Sequence, residues 1–248
     1  MSGRLLLVAG LLLIWLIVLM PLKLVALAAG GSEALGYRDV FGTVWQGRVY
    51  GLRVNGVPVR ELEVATDPLV LLTGRLGGSW RVKDASLRGA GRARLSGNGH
   101  DLELGPTQLV ATLDRLGLDR LPGLDPAERV FIRLEGLVVR DGQCVSASGT
   151  ARSGALIALA RLYGHDGATV TGTFACDDGQ LVLDWAGETE GLALRGRVGF
   201  RAAGYDWTAR IETAWPELAD SLALAGLVRE GDAWQAAGRQ AYADQNAG

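Results

Sequence analysis

The sequence predicts an all-β fold, a single N-terminal transmembrane helix followed by an extended antiparallel β-sheet, a meander, with two or three short helices. Three observations carry this. Residues 5–22, "LLLVAGLLLIWLIVLMPL", hold no charge. Beyond them apolar residues recur at every second position, the period of a half-buried strand. Short turns rich in Gly, Asp and Asn separate the alternating runs, without the strand–helix rhythm of a βαβ array.

The 248 residues suit one all-β domain. The expected division is a tail and signal anchor over 1–27, a periplasmic β-domain over 28–236, and a disordered tail over 237–248, where "GRQAYADQNAG" begins at 238. Formal net charge is -2, with a pI near 5.8. No global positive field is present to attract a phosphate backbone, so nucleic acid is excluded as a partner. The 36 glycines have no three-residue period and read as turns and bulges.

Arg4 and Lys23 flank the apolar stretch. Eighteen residues lie at the lower end of what spans a bilayer. A cleaved signal peptide has a shorter apolar core, about 7 to 15 residues, and ends in small residues such as the "ALA" at 26–28. The length of the core and the interruption at Lys23 favour an uncleaved anchor. A four-residue tail is too short to be a domain, so the bulk of the chain follows the span, most simply on its outer side. Cys144 and Cys176, 32 positions apart, fit that placement as a bridge, because disulfides persist in the periplasm. Two buried thiols acting as small hydrophobes are the alternative.

Leu52 and Val54 precede Asn55-Gly56, and Val57 and Val59 follow it, the signature of a two-residue hairpin. That register sets Pro58 beside Arg53, which suits an edge or a bulge. The alternation slips by one at Arg60-Glu61, as a bulge in that strand would produce. A second hairpin is predicted with its turn at Ala203-Gly204, which sets Phe200 opposite Trp207. Further strands are expected at 80–87, 90–96, 101–104, 108–113, 130–140, 143–151, 169–176 and 180–185. Three short helices are expected in "DPLVLLTGRLGG" from Asp67, "SGALIALARLYGHDG" from Ser153 and "WPELADSLALAGLVREG" from Trp215, each with a start signal and a glycine-bearing stop. Strands followed by a short helix, three times over, suggest a weak threefold structural repeat.

Motifs for catalysis or ligation are scarce. His100 and His165 lie in glycine-rich turns, and with Cys144 and Cys176 they show no metal-ligand spacing. Ser146 and Ser148 have no neighbouring base pattern. The carboxylates Asp177, Asp178, Glu188 and Glu190 occupy expected hairpin turns, where they bond local backbone. The reading is therefore a non-enzyme with no catalytic, metal or cofactor residues. Two jobs suit a tethered amphipathic sheet: offering strand edges to partner proteins, or curling its apolar face into a groove for lipid tails.

Particular residues resemble a known family. One span, then "GTVWQGRV" at 42–49, "DPLVLLTGRL" at 67–76, and cysteines in "GQCVSASGTA" and "TGTFACDDGQLVLDW", look like the type II secretion system protein N family over about residues 5–234. The family's early G-x-x-W-x-G is matched by Gly42, Trp45 and Gly47, and its paired cysteines by Cys144 and Cys176. Alanine stands at position 65, where the family often has tryptophan. The resemblance implies an inner-membrane, single-pass accessory or structural component of the type II secretion system. Its partners would be proteins of the inner-membrane platform or the outer-membrane secretin. A distant likeness to AsmA-like proteins keeps the lipid groove as the alternative. Trp45, between glycines and with no base or ligand pattern near it, reads as a packing residue, substantially buried near the start of the first strand.

Overall fold

The computed structural model describes residues 19–23, 35–54, 57–71, 75–96, 99–114, 125–201 and 204–241. The predicted membrane span falls on residues outside these, apart from 19–22. Among the described residues no helix is long and apolar enough to cross a membrane.

The first strands are β1 (Leu35–Gly36), β2 (Asp39–Gly42), β3 (Gln46–Val54) and β4 (Val57–Thr66). A single helical turn, α1 (Pro68–Leu71), leads to β5 (Arg75–Lys83), β6 (Leu87–Ser96), β7 (Leu102–Leu104), β8 (Thr107–Thr112), β9 (Arg129–Arg140) and β10 (Gln143–Ser153). Helix α2 (Ala155–Leu162) precedes β11 (Val170–Asp177), β12 (Gln180–Thr189), β13 (Leu192–Arg201) and β14 (Gly204–Thr213). Helix α3 (Pro216–Leu224), β15 (Val228–Glu230) and β16 (Ala233–Ala241) complete the order.

All these strands join one antiparallel sheet. It is a meander with three departures. β1 and β2 both pair β3, and β7 and β8 share the space between β6 and β9, one against each end. β16 returns beside β14 and leaves β15 at the edge. The all-β reading therefore holds.

The first hairpin has the expected register, with Val54 opposite Val57 and Leu52 opposite Val59. Its two turn residues lie outside the described ones. Pro58 stands on an edge, because β4 pairs with β5 only from Leu62 onward. The slip after it is not a one-sided bulge. Tyr50 faces Glu61 and Leu52 faces Val59, so β4 gains no extra residue. Instead Gly51 adopts φ 62°, and the Arg60 N–H donates to Asp84 Oδ2 at 2.9 Å. Both strands turn over together at that pair, which keeps Leu52 and Val59 buried.

The second hairpin closes one residue earlier than predicted. Arg201 pairs with Gly204, which places Phe200 opposite Tyr205 and Val198 opposite Trp207. Gly204 therefore serves as a ladder residue. The Phe200 and Tyr205 rings lie 6.5 Å apart.

All three predicted helices form, each shorter than its segment. The residues after α1 enter β5, and those after α3 enter β15. Unequal numbers of strands separate the helices, so the expected threefold repeat is not present. β16 runs to Ala241, paired with Gly204, so the sheet extends past the expected domain end at 236 and takes in the start of the expected tail.

The larger core lies where α2 and α3 cover one end of the sheet. Leu156, Leu159 and Ala160 of α2 share a face by i, i+3, i+4 spacing, as Leu218 and Leu222 of α3 do by i, i+4. Both stripes close over Leu192 and Trp215. Leu156 is 1% exposed, and burying each such leucine stabilises by about 1.5–3 kcal/mol. Trp215 donates its indole N–H to the Glu190 carbonyl at 3.2 Å and stacks on the His165 ring at 4.2 Å. A second cluster of Leu134, Ala151 and Phe174 sits mid-sheet.

Candidate functional site

Residues opposed across a ladder point to the same face, and this rule divides the sheet sharply. One row starts at Val40 in β2 and passes through Val49, Leu62 and Val82. It continues through Gly89, Leu109 and Ile132 and on through Trp185 to Ala236 in β16. No polar side chain interrupts it. The neighbouring row, from Gly42 and Gly47 through Val64, Trp80, Leu134, Phe174 and Trp207 to Gly238, admits one, Thr107. Thr107 is 1% exposed and its hydroxyl donates to the Gly105 carbonyl at 3.0 Å. Among the described residues, α2 and α3 cover one end of this apolar face, and no second sheet covers the rest.

Tryptophan and glycine are matched on that face. Trp185 lies against Gly196, where an added Cβ would meet the indole at 2.2 Å. Trp207 lies against Gly238 and Trp80 against Gly91, with corresponding distances of 2.7 and 3.0 Å. These glycines stand mid-strand, not in turns or bulges, and leave room for rings laid flat across the neighbouring strand. The readable signal was a glycine inside an alternating run, which marks close approach as often as a bulge.

The opposite face is polar. One of its rows is Phe41, Arg48, Glu63, Arg81, Ala90, Gln108 and Arg133. The next is Gln46, Ala65, Ser79 and Arg92. Between them a groove of about 930 Å³ crosses β2 to β9, lined by both rows and floored by the residues in between. Glu63 is its one acidic group. Lys83 Nζ donates to Glu63 Oε1 at 2.8 Å, with Arg48 at 3.3 Å and Arg81 at 3.7 Å. The Lys83 hydrogen bond, joined by the charges of Lys83, Arg48 and Arg81 and opposed by partial desolvation, holds the Glu63 carboxyl below the usual glutamate range. Arg92 and Arg133 form no ion pair among the described residues. Elsewhere on this face Arg197 grips Asp184 and Asp177 at 2.7 Å each, Arg201 meets Asp206, and Arg210 meets Glu212.

The motif residues at 42, 45 and 47 come together at the β2–β3 turn. Gly42 has φ 92°, and a Cβ there would lie 2.4 Å from the Gln46 carbonyl oxygen. Gly47 is closed over by the Leu22 side chain, 2.2 Å from where its Cβ would be. The Val44 N–H donates to the Met20 carbonyl at 3.0 Å, and Pro21 bridges Thr43. The end of the apolar stretch is thereby docked on the motif. Trp45 lies just before the start of β3. It is half-buried, in the bend before β3, and its carbonyl accepts from the Thr66 N–H at 3.1 Å. The deeply buried indole is that of Trp215, at 4% exposure.

Cys144 and Cys176 form a disulfide with Cα atoms 5.5 Å apart. The β10–β11 ladder ends at Gly149 opposite Phe174, and the bridge joins the two strands beyond that point. The Cys144 N–H also donates to the Gly179 carbonyl at 2.7 Å. His100 and His165 are both exposed, and among the described residues no three His, Cys, Asp or Glu side chains gather as a metal would require.

A single open antiparallel sheet with one apolar and one polar face defines a β-scaffold, with its distinguishing chemistry on surfaces. The chain belongs to the type II secretion system protein N family, whose model matches residues 33–236, and is a component of that system. No curated protein and no solved structure matches it.

Proposed function

We propose that this chain is a non-catalytic structural subunit of the type II secretion machinery. In this reading it is anchored in the inner membrane by residues 5–22, and its sheet stands in the periplasm. It contacts proteins of the inner-membrane platform or the outer-membrane secretin. The observation that carries the reading is the junction of Met20 and Leu22 with Val44 and Gly47. It sets the end of the uncharged stretch directly against the turn that opens the first long strand. The disulfide supports an oxidising compartment. The test is fractionation of cells carrying the chain and of cells lacking it. The reading expects the chain in the alkali-resistant membrane fraction, its sheet digested only when the periplasm is opened to protease, and secreted enzymes retained in the periplasm of the deletion strain. A soluble mature form starting near residue 29, or normal secretion without the chain, would contradict it.

The largely apolar face favours a second reading, the handling of lipid chains. Its test is organic extraction of the purified full chain followed by mass spectrometry. Stoichiometric phospholipid supports it, and a lipid-free chain removes it.

A further inference from the structure

The polar face of an amphipathic sheet needs only water as a partner, and a solvated face carries charges in balanced pairs. The end around β11 to β14 is largely of that kind, with Arg197, Arg201 and Arg210 each held by a carboxylate and Arg195 the exception among the described arginines of that stretch. The groove between β2 and β9 is not. Four arginines, Arg48, Arg81, Arg92 and Arg133, line it against one lining acid, Glu63, with Glu61 beside it 3.9 Å from Arg48, in a chain whose net charge is -2. Glu63 is already shared among Lys83, Arg48 and Arg81. Among the described residues, Arg92 on one wall and Arg133 on the other form no ion pair.

The shape of the groove selects among anionic partners. It runs across seven strands, about 29 Å at the usual interstrand spacing, and the two walls stand two residues apart along each strand, about 7 Å. A planar array of phosphates on a membrane would meet the wall tips and leave the floor empty. One extended polypeptide of eight residues is about 27 Å long and fills a slot of this width. Gln46, Ser79 and Gln108 along the walls supply neutral donors and acceptors for its backbone. Arginine's planar fork suits paired hydrogen bonds to carboxylates.

We propose that this groove is the docking site for an extended acidic segment of another secretion protein. The proposal rests on the structural-subunit reading for the identity of the partner, and on the groove alone for the chemistry of binding.

The test uses the full chain in nonionic detergent and fluorescein-labelled octaglutamate, followed by fluorescence anisotropy at low salt. Binding is expected, weakening steeply as salt is raised, with octalysine not bound. Arg92→Glu combined with Arg133→Glu should weaken it at least tenfold. Arg140→Glu combined with Arg195→Glu makes the same charge change away from the groove and should change it less than twofold. Both pairs are exposed, so unchanged thermal melting is expected and confirms that each variant folds. No binding by the native chain, or an equal loss in both double variants, overturns the proposal. So does a groove-dependent affinity for phosphatidylglycerol vesicles exceeding that for octaglutamate, which would make lipid headgroups the ligand. Crosslinking in cells separates the two layers. Octaglutamate binding without capture of secretion proteins contradicts the subunit reading, and capture that survives the groove variant without octaglutamate binding contradicts the groove.

Discussion

The Leu22 side chain occupies the space that a Cβ on Gly47 would need, 2.2 Å from its Cδ2 atom. This contact explains why a glycine is required two residues after Trp45, and it links the family's early motif to the docking of the N-terminal segment.

Gly47→Ala should therefore force Leu22 outward, and overpacking of this kind costs about 1–3 kcal/mol. Thermal melting of the full chain measures it. Gly36→Ala is the control, since a Cβ there would meet only the Arg53 side chain at 3.9 Å. Equal melting temperatures for the two variants would show that the Leu22 contact carries no stability.

Trp185 and Gly196 should behave as a coupled pair. An alanine at 196 would sit against the indole, so Gly196→Ala should destabilise by about 1–3 kcal/mol. In the background of Trp185→Leu most of that cost should vanish. A double-mutant cycle reads the coupling directly, and additive effects would contradict the matched packing.

Replacing Cys144 and Cys176 together by serine releases the β10–β11 end beyond Gly149 and Phe174. Closing a loop of 32 residues corresponds to about 3–4 kcal/mol in the chain-entropy model. Chemical denaturation with and without reductant should show that loss in the native chain and no reductant effect in the double variant. Hydrogen exchange should rise first in β10 and β11.

Glu63 sets the pH dependence of the groove. Its carboxyl titrates below the ordinary glutamate range, chiefly through the Lys83 hydrogen bond. A lowered folded-state pKa contributes stability above the unfolded value and loses it as pH falls through the folded one. Glu63→Gln should thus lower the melting temperature slightly at about pH 7 and not at all near pH 2, where both chains carry a neutral group. A gap that widened on acidification would reverse the assignment.

The strand pattern was legible because period-2 alternation and Asn-Gly turns report local chemistry. Val54 opposite Val57 follows from the turn alone. Pairs set by a glycine without a turn signal were not legible. Gly204 joins the ladder, which moved Phe200 from Trp207 to Tyr205. Trp45 looked like a core residue by its type. In the fold it precedes the strand in a bend and is partly buried, while Trp215, at the cap of α3, is enclosed by two helices. Strand β16 was hidden because its small and polar residues, "AWQAAGRQA", draw their pairing from β14. The groove was invisible for a related reason, since Arg48, Arg81, Arg92 and Arg133 are far apart in sequence and meet only through successive ladders.

The most direct test of the account is photocrosslinking in secreting cells from a probe placed at Gln108, on the groove wall, against the same probe at Thr208, on the polar face outside it. The account predicts adducts with platform or secretin proteins from position 108 and none from 208. Adducts to lipid alone, or no protein adduct from position 108, would contradict it.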